Sequence, residues 1–95
     1  MKRKSTAVEI AKMMDVSPAR GMEAIIKAQL ISAVLQALHD KKLTHLELAN
    51  RAKLPKSAVT GILSGSLQKV TIDRVLRLIE AVGLIAEVRV KKSAA

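Results

Sequence analysis

Hydrophobic residues in the first half of the chain recur every three or four positions, which is the spacing of one face of an α-helix. Ser17 and Pro18 stand just before this pattern and form a helix start signal, because serine caps free backbone N–H groups and proline at the first helical position loses no bond. We therefore predict a long helix over residues 18–39. Its predicted core face consists of Met22, Ile25, Ile26, Leu30, Val34, Leu35 and Leu38.

Two shorter helical patterns follow in residues 43–65. Thr44 and Glu47 have the spacing of a capping box, in which each side chain bonds the other residue's free backbone N–H, so a helix is predicted to begin there. Leu54-Pro55 ends it, because the residue before a proline avoids the helical conformation. Helical spacing resumes at Lys56 and stops at Ser64-Gly65. The pattern predicts two short helices joined by a tight turn.

The last third of the chain begins with a further amphipathic helix that Thr71 caps and Gly83 ends. The predicted buried stripe of this helix is Ile72, Val75, Leu76, Ile79 and Val82. Hydrophobic and charged residues then alternate over residues 84–91, which predicts one β-strand.

A lone strand exposes unpaired backbone groups, so it needs a partner. Unless residues 1–14 supply the partner, we expect the strand to pair with its own copy across the two-fold axis of a homodimer. The predicted dimer interface consists of Leu84, Ala86, Val88, Arg89 and Val90.

Composition narrows the function classes. The 95 residues are enough for one domain, and a net charge of +9 at pH 7 favours a polyanionic partner. The chain has no cysteine, which excludes disulfides, thiol nucleophiles and cysteine-ligated zinc. It has no Phe, Tyr or Trp on which unpaired bases stack, so duplex DNA is favoured over single strands.

Other chemistries lack candidate residues. His39 and His45 have no third partner for a metal site, and no spacing typical of a catalytic site occurs, so we expect no enzyme activity and no cofactor. The longest uncharged stretches are residues 28–39 and 57–68, well short of the roughly 20 residues that cross a bilayer. We expect a cytoplasmic protein with no membrane span.

The two short helices and their turn match a helix-turn-helix, whose second helix enters the major groove of DNA. Residues 41–69 carry six basic residues and one acidic residue, which is more than half of the chain's net charge. Lys56 is placed to bind a guanine or a phosphate, Ser57 and Thr60 to bind base edges, and Gly61 to let the backbone approach DNA. The predicted DNA-binding residues are Thr44, His45, Lys53, Lys56, Ser57, Thr60, Gly61, Ser64, Ser66 and Lys69.

The segments Leu43-Thr44-His45-Leu46-Glu47-Leu48-Ala49, Val59 to Leu63, and Ile72-Asp73-Arg74-Val75-Leu76 through Gly83 resemble the Xre regulators, which are related to the Cro and lambda repressors. Within them the chain is similar to the small HigA-type antitoxins. The resemblance implies a mainly α, five-helix lambda-repressor-like domain with one C-terminal strand that pairs across a dimer. It also implies repression of the protein's own operon, and a HigB- or RelE-like toxin as partner. A homodimer that places the second helix of each copy in successive major grooves predicts a palindromic operator.

Three positions depart from the family pattern. His45 stands where family members often have a glutamine that binds phosphate, Lys53 stands where they have a glycine, and Pro55-Lys56 replaces a Ser-Gln pair at the start of the recognition helix. A left-handed backbone at Lys53 costs about 1 kcal/mol. Because Pro55-Lys56 replaces the Ser-Gln pair at the start of the recognition helix, the base preference of the family does not carry over.

The expected organisation is a basic N-terminal extension over residues 1–16, with a short helix from Thr6 to about Met14, followed by the DNA-binding domain over residues 17–92. Two alternatives to an antitoxin stay open. One is a stand-alone or phage-type Xre regulator without a toxin, and the other is a non-specific nucleoid-binding protein.

Overall fold

The computed structural model describes residues 17–65 and 70–92. This part of the chain is mainly helical and contains four α-helices and no strand. The helices are α1 (Pro18–Lys41), α2 (His45–Ala52), α3 (Lys56–Leu63) and α4 (Ile72–Ala81). The short helix predicted between Thr6 and Met14 lies outside the described residues, so a fifth helix is not confirmed.

Helix α1 begins where its cap predicts. The Ser17 side chain accepts a hydrogen bond from the Arg20 backbone N–H at 3.4 Å, and Pro18 is the first helical residue. The predicted core face is correct for Val34 and Leu38, which are buried, but wrong for Met22, Ile26 and Leu35, which are 40 to 51% exposed. At about 100° per residue, Met22 lies about 180° and Ile26 about 140° around the helix from the buried Ile31, whereas Leu35 lies only about 40° from it. Ala37 is also buried.

Helix α4 shows a smaller error of the same kind. Val75, Ile79 and Val82 are buried as predicted, whereas Leu76 is 43% exposed and Leu78 is fully buried in its place. Leu76 lies about 100° around the helix from Val75, on the side away from Leu78. The buried face is therefore rotated toward Leu78 relative to the predicted stripe.

Three of the helices end in the same backbone motif. After each helix one residue adopts the left-handed conformation, and the N–H of the next leucine donates to a carbonyl five residues back at 3.0 Å. The left-handed residues are Lys42 (φ 54°), Lys53 (φ 55°) and Gly83 (φ 78°). The expected left-handed backbone at Lys53 is confirmed. The same conformation at Lys42 also costs about 1 kcal/mol, because a side chain crowds the carbonyl there.

The core lies where the four helices meet. Helix α1 packs on α4, and α2 packs on both α3 and α4. Leu48, Val59 and Leu78 are among the fully buried side chains at this junction. The Lys41 Nζ also donates a hydrogen bond to the Val82 carbonyl, which joins the last turn of α1 to the end of α4.

Helix α1 is long and apolar enough to cross a membrane by length and composition alone. Its buried residues Ile31, Val34 and Leu38 belong to the core of the helical domain, which accounts for part of the apolar composition. We therefore regard α1 as a core helix.

The C-terminal stretch 84–92 forms no strand in the single chain, so the predicted strand is not confirmed. A strand requires a partner, and the prediction assigned that partner to a second subunit. Ile85, Val88 and Val90 are 81 to 92% exposed in this stretch. The described residues 84–92 therefore form a partly hydrophobic segment that packs little against the core.

Candidate nucleic-acid interface

Helix α2 is fixed at its first turn by the predicted capping box, which is confirmed. The Thr44 side chain accepts a hydrogen bond from the Glu47 backbone N–H at 3.1 Å, and the Glu47 carboxylate accepts one from the Thr44 N–H at 3.0 Å. Thr44 itself is exposed beside His45, the first residue of α2. The start of α2 is thus a defined, solvent-facing corner of the domain.

Helix α3 is anchored from its inner side. Val59 and Ile62 are buried, and Leu63 is partly buried against the same core. Ala49 of α2 is only 2% exposed, which fits a contact where two helices cross closely. The turn between the helices spans residues 53–55. This arrangement, two short helices joined by a three-residue turn, is the geometry of a helix-turn-helix.

The outward side of α3 carries the predicted polar row. Lys56, Ser57, Thr60 and Ser64 are all exposed. The Ser64 hydroxyl donates to the Gly61 carbonyl at 2.9 Å, which leaves its oxygen able to accept a further bond. A row of this kind matches the hydrogen-bonding edges of bases in a major groove.

The start of α3 has no capping side chain, because Pro55 occupies the cap position. The N–H groups of its first turn therefore have no side-chain acceptor, and a helix N-terminus favours negative charge. Lys56 is the first helical residue and Lys53 is exposed in the preceding turn. Both the backbone and the side chains at this end of α3 are suited to an anionic ligand.

Gly61 is a glycine that the fold itself does not require. Its backbone is ordinary helix, and a Cβ built there meets no atom within 4 Å. At about 100° per residue it lies about 160° around α3 from the buried Val59, on the outward side. Gly65 is different, because its φ of 97° disfavours any other residue.

One contact across the two helices was not predicted from the sequence. The His45 Nδ1 lies 3.3 Å from the Thr60 hydroxyl oxygen, which joins the first residue of α2 to the middle of α3. Each residue was predicted to bind DNA, but no local signal indicates their pairing. The pairing depends on how α2 and α3 cross.

The remaining predicted residues fall in two groups. Ser66 and Lys69 lie outside the described residues. The predicted dimer residues are all exposed, and in the single chain they pair with no other strand; they are Leu84, Ala86, Val88, Arg89 and Val90. Across residues 17–65 and 70–92, no three His, Cys, Asp or Glu side chains are grouped so as to hold a metal ion.

A comparison with protein-family models matches residues 12–91 to a family described as "Helix-turn-helix domain". The chain belongs to this helix-turn-helix domain family. Comparison with curated proteins and with solved structures returns no match. Membership indicates a DNA-binding regulator of a typically non-enzymatic class. In this helix-turn-helix protein α3 occupies the place of the second, DNA-contacting helix.

Proposed function

We propose that this helix-turn-helix protein is a homodimeric transcriptional repressor that inserts α3 into the major groove of a specific duplex DNA site. The observation that carries the proposal is the exposed row Lys56, Ser57 and Thr60 on a helix whose opposite face is buried. The side chains of this row offer a cation and two hydroxyls, which together bind phosphates and base edges. Lys53 and the uncapped start of α3 add phosphate contacts that fix the register.

The homodimer is supported by the C-terminal segment. Ile85 is 89% exposed, Val88 81% and Val90 92%. With Leu84, which is 38% exposed, these make four large aliphatic side chains in the nine residues 84–92. A strand partner pairs the backbone groups of this segment, and a second copy supplies an identical edge. A two-fold dimer places two copies of α3 in successive major grooves, so the operator is palindromic.

The role of antitoxin follows from the resemblance to HigA-type proteins, with a HigB- or RelE-like toxin as partner. Met22 and Ile26 of α1 are exposed and lie about 40° apart around the helix, so they offer a small apolar surface. A reading frame for a small basic nuclease beside this gene is the expected finding. An isolated gene or a phage regulatory region instead favours a plain regulator.

The central experiment titrates the protein on duplex DNA from its own upstream region and on a scrambled duplex, at two salt concentrations. We expect clear preference for the natural sequence. Equal affinity for both duplexes contradicts specific repression and favours the nucleoid-binding alternative.

Two variants separate base contacts from phosphate contacts. Thr60→Ala is expected to relax the preference among bases, because it removes a groove-facing hydroxyl. Lys53→Ala is expected to weaken all duplexes alike and to reduce the slope of log affinity against log salt by about 1. If both variants have the same effect, the assigned roles are wrong.

A further inference from the structure

The contact between His45 and Thr60 restricts the hydrogen bonds that Thr60 can offer to DNA. The His45 Nδ1 and the Thr60 Oγ1 are 3.3 Å apart, His45 is half-buried and Thr60 is exposed. Within the described residues this is the one side-chain hydrogen bond that Thr60 makes. A hydroxyl has a single proton. If Thr60 donates this proton to His45, only the Thr60 oxygen remains for a base, and the oxygen can only accept a hydrogen bond.

The imidazole has the same constraint. In a neutral ring one nitrogen carries the proton and the other accepts. His45 is the first residue of α2, and in the proposed complex this corner lies against the DNA backbone, because helix N-termini and their side chains supply phosphate contacts in helix-turn-helix proteins. A phosphate only accepts hydrogen bonds, so the nitrogen that meets it must carry the proton.

We infer that His45 is a positioning residue that sets the hydrogen-bond direction of Thr60 and thereby the base that Thr60 selects. The Nε2–H donates to a phosphate, Nδ1 accepts the Thr60 proton, and the Thr60 oxygen is left to accept from a base. The bases with a donor in the major groove are adenine at N6 and cytosine at N4. This inference rests on the proposed function and adds the class of base at one operator position.

The test is selection of bound sequences from a library of randomised DNA duplexes, with the full chain and four variants. Wild type is expected to enrich adenine or cytosine at one position of each half-site, by roughly 3- to 10-fold for a single hydrogen bond. Thr60→Val, which keeps the shape without the hydroxyl, is expected to lose this enrichment. Thr60→Ser retains the hydroxyl and is expected to keep it.

Two changes at His45 distinguish positioning from simple support. His45→Ala frees the Thr60 hydroxyl to rotate, so bases with donors and bases with acceptors are expected to be enriched alike at that position. His45→Lys offers only donors, so the Thr60 proton is no longer used toward residue 45, and guanine or thymine is expected to be enriched at least as strongly as adenine or cytosine. All other operator positions keep their preferences.

A merely structural role for His45 gives a different result. If both His45 variants melt like wild type and lower affinity evenly, with adenine or cytosine still preferred, the inference is overturned. The same holds if wild type prefers guanine or thymine at the position that Thr60→Val erases. If wild type enriches no sequence at all, the proposed function itself fails, and the two failures are thus distinguishable.

Discussion

Replacing Gly61 with alanine is expected to raise the stability of the fold while it weakens DNA binding. A Cβ at Gly61 meets no atom within 4 Å, and the backbone is already helical. The full difference in helix propensity between glycine and alanine is therefore expected to stabilise the fold, which raises the free energy of unfolding by about 0.5–1 kcal/mol. For a domain of this size the melting temperature rises by roughly 2–8 °C.

The unfavourable effect of Gly61→Ala is expected only in the complex with DNA. Gly61 lies on the outward side of α3, beside Thr60, so the added methyl group occupies space between the helix and the groove. Displacement of α3 lengthens its hydrogen bonds to base edges. Loss of one or two of these, at about 1 kcal/mol each, weakens operator binding by roughly 5- to 30-fold.

The assay pairs thermal unfolding, followed by circular dichroism, with titration of the operator duplex. Gly65→Ala is the matched control, since it makes the same substitution four residues later at a φ of 97°. It is expected to lower stability by about 1–2 kcal/mol. Wild-type affinity in a stabilised Gly61→Ala protein refutes the close approach of α3 to DNA at this residue. If Gly61→Ala lowers the free energy of unfolding, the space around a Cβ at residue 61 is not open.

Three further predictions follow from other parts of the domain. Lys53→Gly and Lys42→Gly are each expected to raise the free energy of unfolding by about 0.5–1 kcal/mol in denaturant titrations, because both relieve a left-handed backbone. Only Lys53→Gly is expected to lower the salt slope of DNA binding, and equal slopes contradict the placement of Lys53 at the interface. Val88→Pro removes an N–H from the proposed strand ladder, so sedimentation is expected to show monomers, and circular dichroism an unchanged helix content. The control Val88→Thr is expected to stay dimeric, and a dimeric Val88→Pro protein contradicts strand pairing. The hydrogen bond and charge of Lys27 lower the pKa of Glu23 in the folded protein. Ionised Glu23 therefore stabilises the fold at any pH above the pKa that Glu23 has in the unfolded chain, and this stabilisation is lost as pH falls through the lowered, folded-state pKa. The melting temperatures of wild type and Glu23→Gln are therefore expected to converge as pH falls from about 6 to below the usual glutamate pKa of about 4.3, and a constant difference argues against the pair.

Local signals predicted most of the helix boundaries. The caps at Ser17, Thr44 and Thr71 depend on a side chain and a backbone N–H three residues later, so a few neighbouring residues contain all the necessary information. The stop at Leu54-Pro55 is local in the same sense. The face of α3 was also predictable, because an eight-residue helix with hydrophobic residues on only one side leaves a single choice.

The same reasoning fails to predict the buried side of the longest helix, α1. Helix α1 has apolar residues on more than one side, and periodicity alone does not tell which side meets α4. Met22 and Ile26 obey helical spacing as well as Ile31 does, yet only Ile31 is buried. The inward side is decided by the crossing of α1 with α4, which is a tertiary property.

The candidate site shows the same division between local and tertiary information. Lys56, Ser57 and Thr60 were predictable as an exposed row, because their spacing on α3 fixes them relative to Val59. The distance between His45 and Thr60 was not, since 15 residues and a turn separate them. In the proposed complex the sequence of α3 supplies the groups that meet DNA, and the inferred role of His45 makes the packing of α2 against α3 decide whether Thr60 donates or accepts. Base preference in such a protein is therefore a property of the helix pair, and grafting α3 alone onto another helix-turn-helix is expected to transfer the contacts without the preference.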